Sequence, residues 1–218
     1  MDALTKLFKR HHKDLFELHG PTAKGVDWRD HEEMMFRYGK MLTVLDHDFE
    51  RPKGVPTLLD VGCGWGGLCA YAAEKRVKVA YTGIDIVPDM IRYAKRHFND
   101  GRFVVKDVLS LHKENAFDYV VCNGSLTQKL TASIPEMEQF ADRMLRKMFA
   151  LCRYGMAANF MSTRVNYMVD NLYYRHPADL LSYCLMELSP RVRIDHGYSN
   201  LRRGKNKLYD YTVYLYKD

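Results

Sequence analysis

The 218-residue sequence lacks a long hydrophobic run, and no stretch approaches the roughly 20 consecutive apolar residues of a membrane-spanning helix. Its beginning, MDALTKLFKRHHKDLF, also lacks the apolar core of a signal peptide and has the periodicity of an amphipathic helix. These two absences predict a cytoplasmic protein that is not bound to a membrane.

Cysteine is sparse, with five residues in all, and no two of them form a C-x-x-C pair. An odd number of cysteines without that spacing argues against a disulfide framework and against a structural zinc site. We therefore predict a reducing compartment and no bound metal ion.

Internal repeats and low-complexity linkers are also absent, so we predict a single domain over residues 1–218. Residues 1–52 are predicted to form a cap of amphipathic helices. The second helix begins after Asp30, and Glu33 follows three residues later, as in a capping box. Residues 53–218 are predicted to form the core.

From residue 56 onward, short apolar strands alternate with helices. Strands are predicted at 57–61, 79–84, 103–106, 117–122 and 156–161, and helices near 66–75, 88–98 and 136–153, the last closed by Gly155. A helix at 177–188 and strands near 191–196 and 208–216, joined by the polar loop SNLRRGKNK, complete the chain. This order predicts an α/β fold with a doubly wound, mainly parallel sheet that ends in an antiparallel hairpin.

The segment LLDVGCGWGGL at residues 58–68 places four glycines directly after the first strand. Gly62, Gly64 and Gly67 match the G-x-G-x-x-G spacing of dinucleotide sites. Gly62, Gly64 and Gly66 equally match the G-x-G-x-G spacing found where S-adenosylmethionine binds. The glycines by themselves leave both cofactors open.

Acidic residues end the first three predicted strands, at Asp60, Asp85 and Asp107, and Asn123 follows the fourth. Ligands of an open α/β sheet bind beyond these carboxyl ends. A pyrophosphate next to three carboxylates is unfavourable, because like charges in a partly buried cleft repel by kcal/mol. S-adenosylmethionine offers an ammonium, a sulfonium, two ribose hydroxyls and an adenine amino group, all of which suit carboxylates. The charges therefore favour the methyl donor.

Four motifs in order resemble those of the class I S-adenosylmethionine-dependent methyltransferases. They are LLDVGCGWG, YTGIDI, FVVKDVL and FDYVVCNGSL, all within residues 57–126. The resemblance implies a seven-stranded sheet whose last strand is antiparallel, S-adenosylmethionine as the cofactor and a methyltransferase activity.

The resemblance also implies a role for each motif residue. Asp85 accepts hydrogen bonds from both ribose hydroxyls, and Ile86 lies against the adenine. Asp107 lies near the adenine amino group, the Val108 amide near a ring nitrogen, and Asn123 beneath the methionine moiety. The first motif contributes four further cofactor-binding residues, Asp60, Gly62, Cys63 and Gly64.

In similar enzymes an arginine from the N-terminal helices reaches the carboxylate of the donor. Arg37 in the segment FRYG, with Trp28 before it, is the candidate for this role.

Two absent motifs narrow the methyl acceptor. No N/D-P-P-Y/F follows the fourth strand, which excludes the way in which amino-methylating enzymes hold adenine or cytosine. No Pro-Cys follows it either, which excludes the C5-pyrimidine mechanism.

We predict methylation of an O or N atom of a small molecule of natural-product, sugar or phosphonate type, anionic molecules included, and no nucleic-acid partner. Two alternatives stay open: a tRNA or rRNA methyltransferase, favoured only by the net charge of +6, and a non-catalytic S-adenosylmethionine-binding protein.

The acceptor is predicted to meet residues after the fourth strand and residues of a cover made by the N-terminal helices and the insertion 162–177. Catalytic candidates are Lys129 and Ser125, where the transferable methyl should point, and His196 at a strand end as a general base. Substrate candidates are Tyr38, Arg164, Tyr167 and Tyr173, with Arg175 and His176 as further contacts for an anion. The sequence leaves the acceptor and the oligomeric state open.

Overall fold

One mixed β-sheet runs through the protein in a computed structural model that describes residues 2–199, 202–203 and 206–217. Its seven longer strands are β1 (Thr57–Val61), β2 (Ala80–Asp85), β3 (Gly101–Val105), β4 (Phe117–Cys122), β5 (Cys152–Ser162), β6 (Val192–Asp195) and β7 (Asp210–Tyr216). They lie in the order β3-β2-β1-β4-β5-β7-β6. Strands β1 to β5 are parallel, and β7 runs antiparallel to both β5 and β6.

Two-residue strands add to this frame. Tyr174–Arg175 pairs with β5, and Arg202–Arg203 pairs with Asn206–Lys207 as a separate ribbon. The ribbon lies within the predicted polar loop, of which Asn200, Leu201, Gly204 and Lys205 are outside the described residues.

Helices cover both faces of the sheet. They are α1 (Ala3–His19), α2 (His31–Leu42), α3 (Gly67–Glu74), α4 (Pro88–His97), α5 (Ile134–Leu151) and α6 (Pro177–Glu187). Because side chains alternate along a strand, Leu59 packs with α5 and α6 in one core, whereas Leu58 packs with α2, α3 and α4 in the other. In the described part of the chain, no helix is long and apolar enough to cross a membrane. The predicted α/β fold, with its antiparallel C-terminal hairpin and N-terminal helices, is confirmed.

The predicted role of Gly155 as a helix cap is wrong. Helix α5 ends at Leu151, and Gly155 lies inside β5, opposite Tyr216 of β7. A Cβ on Gly155 would come within 2.7 Å of the Tyr216 ring and 3.1 Å of the Leu215 carbonyl oxygen. The absence of a side chain therefore serves the close packing of β5 against β7.

The capping of α2 follows the prediction in one half only. The Asp30 side chain accepts a hydrogen bond from the Glu33 amide at 2.8 Å, as an N-cap should. The Glu33 carboxylate, however, binds the guanidinium groups of Arg29 and Arg37. The acidic residue that completes a capping box is here part of an ion-pair network.

Candidate active site

A cavity opens where β1, β2, β3 and β4 end. It encloses about 1070 Å³ of empty space, its open mouth included, and α1 and the segment 26–28 contribute to its wall. The carboxyl ends of parallel strands are where ligands bind in open α/β sheets. The residues that motif resemblance assigns to a cofactor are therefore in the expected place.

The glycine-rich loop after β1 needs its glycines. Gly62 and Gly64 have φ angles of +72° and +54°, in the left-handed region that favours glycine. The Gly62 and Cys63 amides both donate to the Ile84 carbonyl, at 2.9 and 3.1 Å, which holds the loop against the end of β2. A Cβ on Gly62 would overlap the Ser125 hydroxyl, so the glycine lets the segment after β4 come close.

Asp85 is the best-anchored acid of the site. Its two carboxylate oxygens accept hydrogen bonds from the Gly64 amide at 2.9 Å and the Val87 amide at 2.8 Å. Burial raises the pKa of Asp85, and these amides oppose that shift. A carboxylate offers about four lone-pair sites, so Asp85 retains capacity for two ligand hydroxyls.

Asp107 follows the end of the neighbouring strand β3 and is anchored in a similar way. Its carboxylate accepts from the Leu109 amide at 2.9 Å and caps the short helical turn Val108–Ser110. Asp107 and Val108 both line the cavity.

Asp60 is more deeply buried, with only 2% of its surface exposed. The Tyr81 hydroxyl donates a hydrogen bond to its carboxyl group. Burial raises the pKa of Asp60 to about 7, nearby Asp85 adds to the shift, and the Tyr81 hydrogen bond opposes it. Asp60 therefore changes its charge near neutral pH.

Asn123 provides a test of whether a cofactor fits. Both polar atoms of its side chain are buried and have no hydrogen-bond partner among the described residues. Such unpaired groups are rare because burying them is unfavourable by about 1–3 kcal/mol each. A ligand with both a donor and an acceptor satisfies them, as the ammonium and carboxylate of a methionine moiety do. With the acids and the glycine loop, the site fits S-adenosylmethionine.

Comparisons with known proteins agree with this chemistry. The sequence model of a methyltransferase domain family matches residues 58–150. A Mycobacterium tuberculosis protein provisionally named a methyltransferase is 29% identical over 160 residues, covering 72% of this chain and 91% of that protein. The Synechocystis magnesium protoporphyrin IX methyltransferase, solved with bound S-adenosylmethionine, superposes with a TM-score of 0.66 at 16% identity, over 100% of this chain and 99% of that one. The chain is thus similar to S-adenosylmethionine-dependent methyltransferases in the sequence of residues 58–150 and in its fold.

Other known methyltransferases share the fold or part of the sequence. The Burkholderia thailandensis 1,6-didemethyltoxoflavin-N1-methyltransferase superposes with a TM-score of 0.62 at 19% identity, over 100% of this chain and 91% of that one. Several further curated methyltransferases match along only about 30% of their own length.

The fold brings most of the sequence-predicted cofactor residues to one cavity. Twelve of the predicted site residues line it: Trp28, Tyr38, Asp60, Gly62, Cys63, Gly64, Asp85, Ile86, Asp107, Val108, Asn123 and Ser125.

Arg37 lies elsewhere. Its guanidinium forms a buried ion pair with Asp210 at 2.7 Å and with Glu33 at 2.8 Å, and it does not line the cavity. It stacks over the Trp28 ring at 4.3 Å, and Trp28 does line the cavity. Two carboxylates hold the Nε and Nη2 atoms of the guanidinium, and its Nη1 atom is buried with no hydrogen-bond partner among the described residues. A contact between Arg37 and the donor stays a prediction.

Two catalytic candidates also lie outside the cavity wall. The Lys129 amide binds the Asn171 carbonyl at 2.9 Å, in the segment that leads away from β4. His196 pairs through its Nε2 atom with the Ser162 hydroxyl at 2.8 Å. Neither residue is among those that line the cavity, so the structure does not bring them together with the predicted cofactor residues.

The three substrate candidates from the insertion are also absent from the cavity wall. Arg164 is exposed, and Tyr167 is 68% exposed, with its ring near Tyr209. Tyr173 is 1% exposed and packs in the core. The insertion pairs with the segment after β4, where the Tyr173 amide donates to the Thr127 carbonyl at 2.9 Å, and its role as a cover stays a prediction.

Helix α1 supplies residues that sequence reasoning missed. Thr5, Phe8 and His12 line the cavity, and so do Asp27 and Gln128 from two other segments. Thr5, Phe8 and His12 have the i, i+3, i+7 spacing of one helix face, which is the available signal. The basic residues around them suggested a solvated surface instead.

Proposed function

We propose that this protein transfers the methyl group of S-adenosylmethionine to an O or N atom of a small molecule. The observation that carries the proposal is the extent of the cavity, which continues from the cofactor residues to a wall built by α1, Asp27 and Gln128. Concave sites of this kind, with apolar walls and a few convergent polar groups, are typical of small-molecule binding. In this proposal the chain is one domain, in which residues 1–52 are a cap on the core 53–218.

The lining favours an uncharged or cationic acceptor with an apolar body. Phe8, Phe140 and Met144 supply apolar wall. Among the described residues that line the cavity, Lys106 is the only lysine or arginine, and it directly precedes Asp107. An anion would therefore meet more negative than positive charge.

The basic residues expected to hold an anion have other partners. Arg175 forms an ion pair with Asp142 at 2.7 Å, and His176 accepts a hydrogen bond from the Ala178 amide at the start of α6. Together with the exposed Arg164, they give an anionic acceptor no support. A hydroxyl or amine is the better match.

The chain's contribution to the reaction is placement and shielding. The bound cofactor supplies an electrophilic methyl group on its sulfonium. The cavity walls hold the acceptor next to this methyl group and keep water out. A bimolecular reaction thereby becomes an effectively unimolecular one.

Transfer of a labelled methyl group from S-adenosylmethionine tests the proposal. Purified protein is offered pools of small amines and alcohols, small carboxylates and phosphonates, and total RNA. We expect label in the amine or alcohol pool. Label in RNA, with binding that weakens steeply as salt rises, would favour the nucleic-acid alternative. Cofactor binding without label in any pool would favour a non-catalytic binding protein.

A further inference from the structure

Three separate segments meet at one end of the cavity and form what we call the His12–Asp27–Gln128 cluster. His12 comes from α1, Asp27 follows the short helical turn Lys24–Val26, and Gln128 follows β4. All three line the cavity. No motif of the sequence includes them.

Hydrogen bonds hold two members of the cluster in place. Asp27 Oδ2 lies 2.7 Å from His11 Nε2 and also accepts a hydrogen bond from the Gln128 side-chain amide. Since the amide nitrogen of Gln128 is used in this way, its carbonyl oxygen points elsewhere. That oxygen, Oε1, is buried and has no hydrogen-bond partner among the described residues. A ligand carrying an O–H or N–H group would satisfy it.

His12 presents an unprotonated ring to the same space. Burial and the neighbouring His11, whose ring centroid is 5.2 Å away, lower the pKa of His12 to about 4, while Asp27 opposes the shift. At neutral pH the imidazole is uncharged and has one nitrogen lone pair available. As the ring takes up a proton, the Asp27 carboxylate stabilises the positive charge that forms.

The position of the cluster along the chain relates it to the methyl group. Gln128 comes five residues after Asn123, at the carboxyl end of β4, where the cofactor's methionine part is expected. Asp85, assigned to the ribose, ends β2, and Asp107, assigned to the adenine, follows β3. Both strands lie on the other side of β1. The cluster is thus on the β4 side of the cavity.

We propose that His12, Asp27 and Gln128 hold the atom that is methylated, and that His12 accepts its proton. The acceptor's lone pair forms the new bond to the methyl carbon, and the electron pair of the breaking carbon–sulfur bond stays on sulfur. The proton of the acceptor O–H or N–H passes to the free nitrogen of His12, which later releases it to water. This inference rests on the proposed function. It adds where the methylated atom is held and which residue accepts its proton.

Nuclear magnetic resonance of the intact chain tests the inference without a known acceptor. S-adenosylhomocysteine and S-adenosylmethionine differ only in the methyl group and positive charge at sulfur. We expect the His12 ring signal and the Gln128 side-chain amide signal to shift further with S-adenosylmethionine than with S-adenosylhomocysteine. His196, outside the cavity wall, is the matched control and should respond equally to the two ligands. The His12 signal is assigned by its loss in H12Q.

The possible outcomes separate this inference from the proposed function. If both ligands bind but His12 responds equally to them, the cluster does not face the methyl group and the inference is overturned. The same holds if His196 is the histidine that distinguishes the ligands. If neither ligand binds by calorimetry, the proposed function fails and the inference fails with it.

Discussion

The protonation of Asp60 is expected to depend on the charge of the ligand that binds beside it. Burial raises the pKa of its carboxyl group to about 7, so that near neutrality a proton occupies part of the population. A cationic ligand favours the ionised form, because opposite charges in a buried site attract strongly. We therefore expect cofactor binding to displace a proton from Asp60.

The affinity for S-adenosylmethionine should rise with pH through about 7, as Asp60 loses its proton in the free protein. In Asp60→Asn the affinity should be lower at pH 8 and less dependent on pH. Calorimetric dissociation constants measured between pH 6 and pH 8 check this expectation. An equal pH dependence in both proteins would show that Asp60 does not face the donor's charge.

The free energy of unfolding of the ligand-free protein should also depend on the protonation of Asp60. The folded-state pKa of about 7 is above the reference value of 3.8, so the folded state binds the proton more tightly than the unfolded one. Asp60 therefore lowers the free energy of unfolding progressively as pH rises from about 4 to about 7. Relative to Asp60→Asn, the wild type should lose stability over that range in urea titrations. A pH-independent difference between the two would contradict the raised pKa.

His12→Gln should slow methyl transfer by roughly 10²-fold, the lower end of a general base's usual contribution, because an imidazole with a pKa of about 4 is a weak base. The dissociation constant for S-adenosylmethionine should change little, because the assigned cofactor residues remain. His196→Gln is the matched substitution outside the cavity wall, and it should leave the rate within a few fold. Single-turnover rates with an acceptor found by the labelling screen provide the measurement. Comparable losses in both variants would remove the distinction between the two histidines.

The residues that sequence could identify are those whose chemistry is set by local chain geometry. Asp60 and Asp85 lie at the carboxyl ends of strands, and Gly62 has a left-handed backbone. Each can therefore be identified from the short sequence motif around it. Asp27 and Gln128 are 101 positions apart, and only the packing of the N-terminal segment brings them together. No sequence motif near either residue predicts that contact.

Helix α2 is tied to strand β7 by a buried ion pair that also supports the cavity wall. Arg37 and Asp210 are 4% and 0% exposed, and the Asn159 side chain links Asp210 to the Gly124 amide. The ring of Trp28 lies between Arg37 and Gly124, where a Cβ on the glycine would come within 2.7 Å of it. The helix, the sheet and the loop after β4 are therefore fixed relative to one another.

Asp210→Ala should lower the free energy of unfolding by about 3–5 kcal/mol, because it leaves the Arg37 charge buried without its main partner. Asp195→Ala on the adjacent strand is the control, since its ion pair with Lys40 at 2.8 Å is partly exposed. Removing that pair should change stability by no more than about 1 kcal/mol. Urea unfolding of both variants gives the comparison. A loss at Asp210 as small as the loss at Asp195 would contradict a structural role for the Arg37 network.

Strand and helix bounds were predictable where hydrophobic periodicity is strong. The predicted strands at 57–61 and 117–122 coincide with β1 and β4, and the helix at 88–98 agrees with α4 to one residue. The start of β5 was missed, because residues 152–155 continue the helical pattern of α5. Pairing with β4 and β7 draws them into the sheet, and such pairing is set by distant residues.

The whole molecule is basic, whereas its cavity is acidic. The net charge is +6, yet four aspartates and a single lysine are found among the described lining residues. Overall charge therefore carries no information about this site. It favoured an RNA substrate only while the positions of the charges were unknown.

The order of elements predicted the architecture, because alternating strands and helices have few ways to bury both faces of a sheet. The order β3-β2-β1-β4-β5-β7-β6 is one of several that this alternation allows, completed by the final hairpin. The position of α1 beside the cavity could not be predicted from the sequence, because an amphipathic helix can pack against any exposed apolar surface of the core. The acceptor side of the site depends on this placement.

Calorimetric titration of S-adenosylmethionine into the wild type and Asp85→Asn tests the central claim most directly. We predict that the wild type binds and that Asp85→Asn binds at least 10-fold more weakly, since hydrogen bonds to a charged group contribute about 1.5–3 kcal/mol each. Asp100→Asn, an exposed aspartate outside the cavity wall, should bind like the wild type. An Asp85→Asn affinity equal to that of the wild type would contradict the assignment of the acidic strand ends to the methyl donor.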